Sequence, residues 1–299
     1  MRLVLIATLA LAAAAVLVPK SVFAAEVKAC GADPKWTEPT APLHIYADTW
    51  YVGTCGLSAI LVVSKEGSVL IDGGIEENAP LIEANIRALG FRVEDVRYIL
   101  NSHEHSDHAG GIARLQKDSH AVVAARAPAA AALERGHGDR SDPQYLSGKP
   151  FPAVANVRRI GDGDKIKIGT TELTAHATPG HTPGSTTWTW RSCEKQRCLD
   201  MVYADSLTAM SDDVFRYADE TAHPGVLDAF RRSIANVAAL PCDILLTPHP
   251  DAYASDLWSR LGPNAHASLS DADACRRYAA KASENLDARI AKEKTGSLK

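Results

Sequence analysis

Short apolar runs with alternating polar residues recur along this chain, separated by longer stretches in which apolar residues return every three or four positions. The short runs predict β-strands and the longer stretches predict amphipathic helices. Strands are predicted at 44–47, 58–64, 68–71, 96–100, 121–125, 165–168, 171–178, 186–191, 201–204 and 243–246. Helices are predicted at 77–89, 108–117, up to 134 after the strand at 121–125, 226–240 and 271–292.

Strands and helices recur in this way in both halves of the chain, and no linker divides them. This order predicts an α/β fold in which two sheets pack face to face with helices on the outside. A stretch rich in glycine, proline and polar residues at 136–152 is longer than most loops in compact domains. We therefore expect this loop to form the rim of an active site.

The first 24 residues have the layout of a secretory signal peptide. Arg2 precedes an apolar run at 3–18, and the small residue Ala24 follows it. A membrane anchor is the alternative, but this run is shorter than the roughly 20 residues that span a bilayer. We expect cleavage near Ala24, a periplasmic location without a stable membrane anchor, and a single domain at 25–299.

The size and charge of the chain exclude some classes of protein. The 299 residues include 46% hydrophobic residues, which is enough to bury a full-sized core. The formal net charge is −4, and loss of Arg2 and Lys20 with the signal peptide would make the mature chain more acidic. This balance gives no indication of nucleic-acid binding. We expect a monomer that acts on a small molecule.

Six cysteines in an exported chain indicate disulfides, because the periplasm is oxidising. Thiolate ligation of zinc is the alternative, but no Cys-x-x-Cys spacing occurs. Pairing of sequence neighbours is one of many possible connectivities, so it is a hypothesis. It would join Cys30 with Cys55, Cys193 with Cys198, and Cys242 with Cys275.

The strongest chemical signal is the segment HEHSDH at 103–108, which directly follows a predicted buried strand. If the segment stays extended, alternation sends His103 and His105 to the same side. Imidazole and carboxylate ligands suit zinc, and the shift of register to His108 would present Asp107 and His108 to a second ion. A solvated polar loop is the alternative interpretation.

Two further histidines follow predicted strands, His181 in TPGHTPG and His249 in LTPHP. The neighbouring prolines restrict the backbone and would hold each ring in place. Either histidine alone could be an ordinary loop residue. Together with the segment at 103–108 they give six ligands, enough for two three-ligand sites with open positions. Structural zinc is normally closed by four protein ligands, so this set indicates catalysis.

These segments resemble the metallo-β-lactamase superfamily and, within it, the third subclass of class B β-lactamases. The matching stretches lie at 72–74, 102–111, 177–190, 203–210 and 246–251. The resemblance implies a four-layer αββα sandwich with two zinc ions per chain at one edge of the sheets. It implies that the first ion is held by His103, His105 and His181, and the second by Asp107, His108 and His249.

The sequence DSLT at 205–208 bears on the subclass and on the substrate. This segment lacks the cysteine ligand of the first subclass. In similar enzymes of the third subclass, the residues equivalent to Ser206 and Thr208 bind the substrate carboxylate. Simple hydrogen bonding at a strand end is the alternative. Enzymes of the glyoxalase II type use an aspartate near this position to bridge both metals. Asp205 is therefore either a structural residue or a seventh ligand.

The resemblance implies an antibiotic-resistance enzyme that opens the β-lactam ring of penicillins, cephalosporins and carbapenems with a metal-bound hydroxide, with Asp107 as the catalytic side chain. The positive charge of two zinc ions exceeds the negative charge of Asp107 and a hydroxide. The remaining charge of about +2 would attract an anionic β-lactam. A glyoxalase II-like thioesterase or a lactonase on the same di-zinc scaffold is the alternative. A zinc-binding protein without catalysis is a third interpretation.

Overall fold

The computed structural model describes residues 30–31, 33–252, 257–260 and 269–296. The segment at 1–24, interpreted above as a signal peptide, lies outside the described residues. Within the described part of the chain, no helix is long and apolar enough to cross a membrane.

Seven strands form the first sheet and lie side by side in chain order. They are β1 (Leu43–Tyr46), β2 (Thr49–Tyr51), β3 (Ile60–Ser64), β4 (Gly67–Ile71), β5 (Val96–Leu100), β6 (Val122–Arg126) and β7 (Arg158–Ile160). Strands β1 to β4 are antiparallel hairpin neighbours, whereas β4 to β7 pair in parallel. Parallel pairing needs crossover connections, and helices supply them here.

Five strands form the second sheet, in the order β12-β11-β10-β9-β8. They are β8 (Lys165–Ile168), β9 (Thr171–Ala177), β10 (Thr186–Glu194), β11 (Arg197–Tyr203) and β12 (Ile244–Leu246). All neighbours are antiparallel except β11 and β12, which run in parallel.

The described helices lie around the two sheets. They are α1 (Ala79–Ala88), α2 (Ser106–Ala109), α3 (Ile112–Ser119), α4 (Ala127–Arg135), α5 (Val226–Ala239), α6 (Leu257–Arg260) and α7 (Ala274–Lys294), with 3-10 turns at Glu76–Asn78 and Val93–Asp95. One core packs α1, α3 and α4 against the first sheet, and another packs α5 and α7 against the second. A third core lies between the sheets and includes Trp188 and Tyr203. The predicted αββα sandwich is confirmed.

The helix predicted at 108–117 is wrong as a single element, because α2 ends before Gly110 and α3 begins after Gly111. Gly111 approaches the backbone of the 72–74 turn so closely that a Cβ atom there would lie 2.2 Å from the carbonyl oxygen of Gly73. Only glycine fits this contact. Because of this break, the short helix α2, which begins at Ser106, is separate from α3.

Two three-residue strands, β2 and β7, were not predicted, because runs this short carry little alternation. The hairpin of β10 and β11 also extends beyond the predicted bounds, to the pair of Glu194 with Arg197. Disulfides join Cys30 to Cys55, Cys193 to Cys198, and Cys242 to Cys275. These are the three pairs of sequence neighbours that were hypothesised, and among the described residues no cysteine is free.

Candidate metal centre

A buried carboxylate, Asp72, fixes the point at which the histidine segment leaves β5. Its Oδ1 accepts a hydrogen bond from the backbone N–H of Ser102 at 2.7 Å, and its Oδ2 accepts one from the Ser102 hydroxyl at 2.6 Å. Tyr203 of the second sheet donates its hydroxyl to the same Oδ2 at 2.8 Å. Asp72 therefore ties together both sheets and the residue directly before His103.

Three of the predicted ligands, His103, His105 and His181, come together in one group. Their ligand nitrogens lie within 4.8 Å of one another. His103 Nδ1–H donates to Asp205 Oδ1 at 2.7 Å, and His181 Nδ1–H donates to the carbonyl oxygen of Thr208 at 2.9 Å. These contacts leave Nε2 of both rings available to a metal ion. His103, His105 and His181 together form the three-histidine group.

The other three predicted ligands, Asp107, His108 and His249, form the acidic group. Asp107 Oδ2 lies 3.2 Å from His108 Nε2 and 3.4 Å from His249 Nε2, and the two nitrogens are 3.3 Å apart. A tetrahedral zinc ion with bonds of about 2.0–2.1 Å has ligand atoms about 3.3 Å apart, so the three donors match one face of that polyhedron. His103 also lies close to Asp107 and His108, so the two groups adjoin.

Three of these side chains, His103, His181 and Asp107, have charge states that suit metal binding. Burial lowers the pKa of His103 well below its usual value, and it lowers the pKa of His181 to about 3. Both rings are therefore neutral, which is the form of imidazole that binds metals. Burial would raise the pKa of Asp107, but His108 and His249 outweigh it and lower that pKa well below its usual value. The acidic group thus offers an ionised carboxylate.

Two buried carboxylates lie behind the ligands. Asp205, interpreted as either structural or a seventh ligand, is fully buried and directs Oδ1 at the Nδ1 of His103. Asp142, which sequence reasoning missed, lies with Oδ1 3.2 Å and Oδ2 3.1 Å from His105 Nε2. Its position in the predicted rim loop was the only signal in the sequence. That signal is weak, because loop carboxylates are common and usually solvated.

A cleft of about 360 Å³ opens in front of both groups. The loop at 136–152 lines one side, including Tyr145 and Phe151, and agrees with its prediction as a rim. Ser206 and Thr208 also line the cleft, but the Thr208 hydroxyl lies only 2.9 Å from His181 Nδ1. Trp36 forms a further wall, with its ring centroid 6.2 Å from that of His249. The cleft can therefore hold a small molecule against the two groups.

The profile of the metallo-β-lactamase superfamily matches residues 52–249, so the chain belongs to this superfamily. Among solved structures, it is 48% identical to the Rm3 metallo-β-lactamase, with a TM-score of 0.84 over 87% of this chain and 97% of that one. It is 46% identical to MEM-A1, a subclass B3 metallo-β-lactamase from a soil metagenome library, with a TM-score of 0.85 over 88% of this chain and all of that one. The resemblance to the third subclass is confirmed.

A more distant relative is the hydroxyacylglutathione hydrolase of Rhodopseudomonas palustris (strain HaA2). It is 29% identical over 171 residues, which cover 57% of this chain and 52% of that relative. The chain thus spans about half the length of this relative. The thioesterase alternative therefore has weaker support than the subclass.

Proposed function

We propose that this chain is a zinc-dependent hydrolase that opens the β-lactam ring of penicillins, cephalosporins and carbapenems. The observation that carries the proposal is the donor triangle of the acidic group, which fits tetrahedral zinc and adjoins the three-histidine group. Each group would hold one zinc ion. The similarity to subclass B3 enzymes over almost their whole length supports the substrate class.

Zinc at this site would polarise the lactam carbonyl and lower the pKa of water, so that a hydroxide nucleophile is available at neutral pH. The chain's own residues would orient the reactants. Asp107 is ionised and 16% exposed, so its carboxylate can accept a hydrogen bond from the attacking water. Asp205 and the Thr208 carbonyl would hold the rings of His103 and His181 in the tautomer that binds metal.

The remaining parts of the cleft would select and hold the substrate. Tyr145, Phe151 and Trp36 supply apolar surface for the substituents of a β-lactam. The hydroxyl of Ser206, a residue that lines the cleft, would donate a hydrogen bond to the carboxylate of the β-lactam. Metal ions would add positive charge to the cleft of an otherwise acidic chain and so attract an anionic substrate.

We also propose that the chain is exported by its segment at 1–24 and acts as a monomer in the periplasm. Three disulfides support an oxidising compartment. β-Lactams meet their targets in that compartment, so the location fits the proposed substrate.

Steady-state hydrolysis by the purified mature chain tests the function. With added zinc, we expect turnover of nitrocefin, a penicillin and a carbapenem, and slower or no turnover of a glutathione thioester. Dialysis against EDTA should abolish β-lactam hydrolysis, and zinc should restore it. Thioester turnover without β-lactam turnover would favour the glyoxalase II-like alternative, and full activity in EDTA would overturn the metal mechanism.

Ser206→Ala should raise the KM for β-lactams about tenfold, equivalent to about 1.4 kcal/mol, because a charge-assisted hydrogen bond to the substrate carboxylate is lost. Zinc content and kcat should change little. Ser147→Ala is the matched control, because this serine lines the same cleft but donates its hydroxyl to the carbonyl of Gln144. Equal KM values for wild type and Ser206→Ala would remove Ser206 from the substrate site.

A further inference from the structure

The loop at 136–152, which is part of the connection from α4 to β7, contains one buried carboxylate. Asp142 is 4% exposed, although most of its loop neighbours are accessible. A buried carboxylate is costly unless it is hydrogen-bonded. Asp142 accepts the backbone N–H of Gln144 at 2.9 Å, and its two oxygens lie 3.1–3.2 Å from His105 Nε2.

The contact determines which nitrogen of His105 can bind a metal. When Nε2–H donates to the carboxylate, Nδ1 carries the free lone pair. Histidines that bind metals almost always donate their other N–H to a carboxylate, carbonyl or water, which fixes both tautomer and ring orientation. Here the partner of His105 comes from the loop that walls the cleft, whereas the partners of His103 and His181 come from the segment after β11.

We propose that Asp142 is a positioning residue that couples the conformation of the loop at 136–152 to metal binding by the three-histidine group. The inference rests on the proposed function, because it requires that His105 binds zinc. Coupling between two sites is reciprocal. Zinc binding should therefore order the loop, and a change in the loop at Asp142 should weaken zinc binding.

The rest of the loop is tied to Asp212, two residues after Met210 of the cleft wall, so the coupling can reach the substrate. The backbone N–H of Asp212 donates to the carbonyl of Pro143 at 2.8 Å, and the N–H of Leu146 donates to Asp212 Oδ2 at 3.0 Å. Tyr145 lies between these anchors and lines the cleft. A rotation of Asp142 away from His105 would displace the wall beside Tyr145.

Asp142→Asn tests the proposal, because asparagine retains an acceptor for the Gln144 N–H but loses the charge and one acceptor toward His105. Zinc affinity is measured on the mature protein by competition with a chromophoric chelator. One of two zinc ions should bind about tenfold to a hundredfold more weakly, and the other should be unaffected. Asp139→Asn is the control. The exposed carboxylate of Asp139 accepts the backbone N–H of Ser141 in the same loop, and its replacement should leave both zinc affinities unchanged.

Hydrogen exchange of the same proteins gives a readout that does not depend on catalysis. Zinc should slow exchange across 136–152 in wild type and in Asp139→Asn, and less so in Asp142→Asn. If Asp142→Asn does not fold, Asp142→Glu keeps the carboxylate and should bind zinc more tightly than Asp142→Ala. Wild-type zinc affinity in Asp142→Asn would overturn this inference alone. A wild-type chain that binds no zinc would overturn the proposed function.

Discussion

Asp107→Asn should lower kcat for β-lactams about a hundredfold to ten-thousandfold, the range typical of losing a proton acceptor, while the three-histidine group keeps its zinc. Asp107 Oδ2 is one corner of the acidic group's donor triangle, at 3.2 Å and 3.4 Å from the other two. Asparagine retains the shape of the side chain but removes its negative charge. It should therefore weaken the binding of the second zinc ion and no longer orient the attacking water. Nitrocefin kinetics and metal analysis at several zinc concentrations measure both effects.

Asp251→Asn is the matched control for this variant. Asp251 follows His249 by two residues but is exposed and contributes no atom to either metal group. Its replacement should change kcat by less than about twofold, because surface substitutions away from a site have small effects. Wild-type turnover in Asp107→Asn would contradict the catalytic assignment. Loss of both zinc ions would contradict the division of the six ligands into two groups.

The candidate ligands could be recognised in the sequence because each segment that carries them follows a strand. The segment at 103–108 follows β5, His181 follows β9 and His249 follows β12. Strand periodicity and the neighbouring glycines and prolines are local features, so one chain suffices to recognise them. The meeting of these three ends at one edge depends on strand order, which came from the family resemblance rather than from the pattern.

The residues behind the ligands were harder to predict, because their roles depend on contacts between distant segments. Asp142 lies 37 residues after His105 in an irregular loop, and no periodicity relates the two. The direction of Asp205 depends on the register of β11. Tyr203 points toward Asp72 of the first sheet, and alternation would place Asp205 on the same side, toward His103. That step needs the pairing of the strands, which the sequence alone does not reveal.

Asp205→Asn distinguishes the β-lactamase and glyoxalase II-like interpretations. Asp205 Oδ1 lies 2.7 Å from His103 Nδ1. If Asp205 acts only through this contact with His103, the variant should still bind two zinc ions at saturation. The affinity of the three-histidine group should fall about tenfold to a hundredfold, because asparagine holds the ring less firmly, and turnover should fall with it at limiting zinc. If Asp205 instead bridges both ions, as proposed for the thioesterase alternative, one zinc should be missing even at saturation.

Asp200→Asn is the control for this last variant, because Asp200 lies on β11, the strand that precedes Asp205, and its side chain is 39% exposed with Oδ1 4.0 Å from Arg191 Nε. Its zinc stoichiometry and kcat should match those of the wild type, since a solvent-exposed ion pair contributes little. Titration of both metal-free variants with zinc, followed by nitrocefin assays at saturating metal, measures the two outcomes together. A stoichiometry of one zinc in Asp205→Asn with two in Asp200→Asn would make Asp205 a ligand and would overturn its proposed role of holding the ring of His103.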